Sequence, residues 1–70
     1  MNNLKIERKS QKLTLLELAK TTNISPGDIS RIENHKIYPY RGWRKRLSTA
    51  LGVSEKILFP EEYNQKKGWE

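Results

Sequence analysis

The sequence predicts an all-α fold of five short helices. Apolar residues recur at three- and four-residue spacings with no alternating strand pattern and no internal repeat. Hydroxyl residues placed to cap helices stand at Thr14, Ser25 and Ser54. The 70 residues contain no cysteine, so one small core must be held by packed helical faces rather than by disulfides. One histidine without cysteine also excludes the usual structural zinc sites, and no metal is expected. No apolar run approaches the roughly 20 residues of a membrane span, so a soluble, cytoplasmic protein is expected.

The first helix is expected from about residue 2 or 3 to residue 12, with Leu4 and Ile6 as its apolar residues and Arg8 one turn beyond Leu4. The second starts at Thr14. With Glu17 three residues on, it makes a capping box, in which the hydroxyl accepts from an orphan amide while the carboxylate reaches back. Leu15, Leu18 and Ala19 line one face, and Asn23 after Thr22 suits a left-handed turn.

Ser25 then caps a third helix with Pro26 in the first helical position, where its missing N–H is no loss, and Asp28 placed to complete a second box. This helix turns Ile29 and Ile32 inward and ends near Asn34. After a connector at Ile37, Tyr38 and Pro39, a fourth helix runs from Arg41 or Gly42 to Leu51 and closes at Gly52. Trp43, Leu47, Ala50 and Leu51 form its apolar face. Ser54 caps a last short helix that returns Ile57, Leu58 and Phe59 to the core before Pro60 stops it. The domain is expected over residues 1–60, and 61–70 reads as a polar, loosely held tail.

Charge is unevenly distributed. Lys and Arg number 14 against 8 Asp and Glu. Residues 37–53 hold four cations and no carboxylate. A local basic surface attracts polyanions: nucleic acid first, then an acidic protein or an anionic membrane.

Thr14 to Glu33 is the most informative stretch. Two capped helices of about eight residues are joined at Asn23, and Ala19 allows a close crossing over Leu18, Ile24, Ile29 and Ile32. Such a pair meets steeply, as in a helix-turn-helix, and can present its second helix to a DNA major groove. The run LTLLELAKTTNISPGDISRIENHKIYP, followed by LSTALGVSEKILFP, resembles the Cro-repressor-like (XRE-type) helix-turn-helix family over residues 4 to about 60. The resemblance implies a compact five-helix lambda-repressor-like domain that binds double-stranded DNA, commonly as a homodimer, and acts as a transcriptional regulator, most simply a repressor.

By position, the resemblance places base-reading residues at Pro26, Gly27, Asp28 and Arg31, with Ser30 on the rim. Pro26 and Gly27 lack polar side-chain groups, and Asp28 suits a cap. Arg31 is therefore the strongest reader, through a bidentate contact to guanine. Its alternative is a surface pair with Asp28. Phosphate contacts are expected from Thr14, Ser25, Asn34, Lys36, Tyr38, Tyr40, Arg41, Arg44 and Lys45, with Arg46 pointing away. Trp43 reads as core. Arg8 and Glu33 match a structural ion pair of the family.

Four positions depart from the family pattern, among them Arg41 and Arg44, where the resemblance implies apolar residues whose space Trp43 would fill. Leu15 stands where a phosphate-binding glutamine is common. His35 stands where glycine is common, which implies strain there or a shift of the left-handed residue to Asn34.

An enzyme is not expected, since the chain has no phosphate-cradling glycine loop, no thiol and no nucleophile for His35 to serve. No cofactor, small-molecule ligand or membrane is implied. The alternative function is a protein-interaction module using the same fold without specific DNA readout. Helix 5, with Phe59, Tyr63 and Trp69, is the expected apolar surface for a homodimer, a monomer being the other possibility.

Overall fold

The computed structural model describes residues 2–60, and over these the chain is all-helical. The helices are α1 (Leu4–Ser10), α2 (Leu15–Thr22), α3 (Pro26–Glu33), α4 (Arg41–Leu51) and α5 (Glu55–Leu58). The predicted caps form as local chemistry dictates. The Thr14 hydroxyl accepts from the Glu17 amide at 3.0 Å while the Thr14 amide donates to the Glu17 carboxylate at 2.8 Å. Ser25 and Ser54 accept from Asp28 and Ile57 amides. The second box is only half made, because the Asp28 carboxylate accepts from Arg31 instead.

Asn23 takes the left-handed conformation, φ 59° and ψ 33°, and its amide donates to Ala19 O, turning α2 sharply into α3. The ends of α1, α3 and α4 use a paired closure, in which two successive amides bond back to carbonyls five and three residues earlier. Leu13 and Lys12 close α1 onto Arg8 O and Lys9 O, Lys36 and His35 close α3 onto Arg31 O and Ile32 O, and Val53 and Gly52 close α4 onto Ser48 O and Thr49 O. The geometry requires a left-handed residue at each. Glycine supplies it only at Gly52 (φ 68°), while Lys12 (φ 59°) and His35 (φ 62°) adopt it with a Cβ in place. The strain therefore sits on His35 itself and not on Asn34, whose φ is −98°. Lys12 likewise explains why α1 stops at Ser10 rather than running on to residue 12.

The core comprises Leu4, Leu18, Ala19, Ile24, Ile29, Ile32, Leu47, Leu51, Leu58 and Phe59, with Trp43 and Ala50 packed against it. α3 lies against α2 and α1, and α4 against α2 and α5. Side-chain amides join the ends: Gln11 donates to Leu51 O at 2.7 Å, Asn2 to Ile32 O at 3.0 Å, and Asn3 to Ile57 O at 2.8 Å.

One core assignment is corrected, that of Ile57, and one further apolar residue, Ile6, lies outside the core. Ile6 is 65% exposed, because Leu4 and Arg8 share the inward face of α1 and a residue two positions along points away from it. Ile57 is 51% exposed, since it lies about 100° round the single turn of α5 from the inward Leu58, while Phe59 follows the helix in non-helical backbone (φ −130°, ψ 66°). Leu58 and Phe59 are the pair that enters. Phe59 is fully buried, so it is not available to a homodimer surface. Tyr63, Trp69 and the expected tail lie outside the described residues.

One buried ion pair orients α3. Arg8 Nε donates to Glu33 Oε2 at 2.7 Å and Arg8 Nη2 to Glu33 Oε1 at 3.2 Å. Arg8 Nη1 donates to Leu13 O at 2.8 Å. The parallel fork leaves neither charge uncompensated, and it ties α1 to the last turn of α3.

Candidate nucleic-acid interface

α3 has two faces of different character. Ile29, Ile32 and Glu33 are buried, whereas Pro26, Gly27 and Arg31 are exposed and Asp28 and Ser30 are half-buried. The inward residues anchor the helix at its middle and end, so its first turn stands open. Ser25 holds that turn through the Asp28 amide at 3.1 Å, and the serine O–H remains able to donate outward while its oxygen accepts. Thr14 is exposed at the start of α2 in the same situation.

On the outer face Arg31 Nη1 donates to Asp28 Oδ1 at 2.9 Å, with the arginine side chain 58% exposed. The surface pair considered from the sequence thus forms. It engages one of the five guanidinium N–H groups. At the far end of α3 the Asn34 amide folds back on Ser30 O at 2.9 Å, and its nitrogen is 3.4 Å from Ser30 Oγ.

From α3 the connector leads through Lys36, Tyr38 and Tyr40 to Arg41 at the start of α4, all four exposed, while Pro39 is buried beneath them. The Tyr40 ring packs edge-on against Trp43, with centroids 4.9 Å apart and planes at 76°. This contact braces Tyr40 against the body while Trp43 stays half-buried, in keeping with its expected core role. Tyr40, the cap residue of α4, makes no side-chain hydrogen bond to its helix, as Asn3 makes none to α1, but α4 differs from the other helices in having no carboxylate in its first turn, where α1, α2, α3 and α5 carry Glu7, Glu17, Asp28 and Glu55. A helix start without a competing anion is compatible with a phosphate. Further along, Lys45 and Arg46 are exposed and line a shallow cleft with Thr21, Gly42, Thr49 and Ala50. Arg46 Nη1 lies 3.4 Å from Thr22 O, at the end of α2.

Arg44 is the correction to the expected phosphate set. It is only 3% exposed. Its Nη1 donates to Pro39 O at 3.1 Å, and its Nε lies 3.5 Å from Glu55 Oε1. The residue fastens the connector and α5 to α4 and cannot reach a phosphate outside the fold. A sequence signal for this exists: Arg44 precedes Leu47 and Leu51 by three and seven residues, the spacing of one helical face. The missing carboxylate at the start of α4 was legible in the sequence, since residues 37–53 hold none.

A family model described as Helix-turn-helix matches residues 4–39, more than half of the chain. The matched span contains α1, both helices of the bent pair and the connector as far as Pro39. Neither a curated protein nor a solved structure matches the chain. The chain belongs to the helix-turn-helix family, of the Cro/XRE type, a family of DNA-binding regulators.

Proposed function

We propose that this chain is a sequence-specific regulator of transcription, a repressor of bacterial, phage or mobile-element origin, that reads the major groove of double-stranded DNA with α3. The observation carrying the proposal is the division of α3. Its inward residues are engaged with the core, its first turn stands open, and beyond its far end a short connector leads to a run of exposed cations and tyrosines. In this reading Arg31 contacts base edges with Ser30 on the rim, while Pro26, Gly27 and Asp28 shape the front of the helix. Thr14, Ser25, Asn34, Lys36, Tyr38, Tyr40, Arg41 and Lys45 contact the sugar–phosphate edges. Phosphate contacts of this kind supply affinity and register without sequence information.

Pairing of two copies on adjacent half-sites is part of the proposal. With Phe59 inside, Ile6 and Ile57 are the exposed apolar residues among those described on α1 and α5. No described helix is long and apolar enough to cross a membrane. A regulator acting on chromosomal DNA would reside in the cytoplasm with the nucleoid.

The test is the salt dependence of binding to duplex DNA. The three cations assigned to phosphates, Lys36, Arg41 and Lys45, imply a loss of roughly 40-fold in affinity for each bound copy between 50 and 200 mM monovalent salt. Affinity for DNA that does not respond to salt, or salt-insensitive binding to a protein in place of DNA, would refute the reading.

A further inference from the structure

We propose that Asp28 and Gly27 act as positioning residues that make Arg31 selective for guanine, so that the preferred DNA carries a guanine opposite the front of α3. The inference rests on the reading of α3 as the groove-entering helix. It adds the means by which the expected contact of Arg31 to guanine becomes selective.

The argument starts from the bare helix start. Pro26 and Gly27 offer no side-chain donor or acceptor, so the front turn has no polar reader of its own. Long helical side chains lean back toward the helix N-terminus. Arg31 does so: its Nη1 lies 3.5 Å from where a Cβ on Gly27 would stand, and the same nitrogen donates to Asp28 Oδ1 at 2.9 Å. The guanidinium is thus drawn over the space that Gly27 leaves open and held there by the carboxylate one turn away. A larger side chain at position 27 would occupy that space and push the guanidinium off it.

The chemistry then selects a base. With one N–H on Asp28, four donors remain and no acceptor. In the major groove guanine offers two adjacent acceptors, O6 and N7, which match the planar fork. Adenine pairs its N7 with a donor, cytosine offers a donor, and thymine sets a methyl group beside one acceptor. Asp28 also has a cost for binding, because its charge repels phosphates. Its value lies in ordering a side chain that otherwise loses much rotamer freedom when it docks.

The experiment is selection from a random-core duplex library, followed by affinity measurements on the selected site and its single-base variants. Melting curves accompany each protein. The wild-type chain is expected to prefer guanine over the other bases at one position of each half-site by about 5- to 150-fold. Asp28→Ala is expected to flatten that preference while general affinity for DNA holds or rises, since a negative charge is gone. Asp28→Asn keeps an acceptor oxygen and should recover part of the preference. Gly27→Leu should lose it with the fold intact. Arg31→Lys leaves the helix start untouched, replaces the fork by a point charge, and should reduce guanine selection while preserving the salt dependence. A helix-capping role alone for Asp28 would lower the melting temperature and leave base preference unmoved, which would overturn the inference. So would selection of a base other than guanine by the wild-type chain, with DNA binding itself standing. Failure of the wild-type chain to bind any duplex at low salt would overturn the functional reading as well.

Discussion

α3 carries two carboxylate–arginine pairs of the same chemistry on opposite faces, and they differ in nearly every physical respect. On the inner face Glu33 meets Arg8 in a two-bonded fork at 2.7 and 3.2 Å, with side chains 3% and 9% exposed. On the outer face Asp28 meets Arg31 through one contact at 2.9 Å, with 34% and 58% of the side chains in solvent. In water an ion pair is screened and gains little, whereas charges removed from water depend on each other completely. The inner pair therefore fixes where α3 lies on the body. The outer pair is cheap to open and leaves an arginine that is ordered but still accessible. One short helix thus carries a buried tie on one face and an accessible arginine on the other.

The most severe way to break this contrast is to remove one partner of the inner pair. Glu33→Ala leaves the Arg8 charge buried without compensation and should cost about 3–5 kcal/mol in urea or thermal unfolding. For a domain of this size that is a large part of the total stability. A cost near zero would mean that the inner pair is as dispensable as a surface one.

Arg44 sharpens the same comparison on α4, because it is an arginine in a basic segment that has been drawn inside. Arg44→Ala should lose about 1.5–3 kcal/mol of stability and leave the salt slope of DNA binding unchanged at temperatures where it is folded. Lys45→Ala should do the reverse, keeping the melting temperature and lowering the salt slope by about one. Equal slopes lost in both variants would restore Arg44 to the phosphate-binding set.

His35 tests a smaller effect, the left-handed strain that closes α3. His35→Gly should gain about 1 kcal/mol, seen as a melting temperature higher by about 4–8 °C. No gain would show that the histidine's own contacts offset its backbone cost. Least affected should be the outer pair, where Asp28→Ala is expected to change stability by within about 0.5 kcal/mol. A loss comparable to that of Glu33→Ala would erase the distinction between the two faces.

The features legible from sequence are those whose partners lie within a few residues. Thr14 with Glu17, Ser25 ahead of Pro26 and Asn23 at the bend each form as expected, since the bonds that satisfy them are local. Helical spacing likewise placed Ile29 and Ile32 inward and left Gly27 and Arg31 outward. Ile57 was placed inward although periodicity was available, because its apolar character outweighed its angular position. Arg44 shows the other kind of error. Charge argues for solvent, and only Pro39 O and Glu55 explain why an arginine can stay inside.

By itself the sequence determined five helices, their caps and the bend at Asn23, because capping and periodicity act along one stretch of chain. Tertiary structure alone decided which arginines are cations in water and which are ties within the fold. Burial depends on what distant segments bring to the same place: Glu33 to Arg8, and Glu55 with Pro39 O to Arg44. The free energy of a charge changes by several kcal/mol between those two environments.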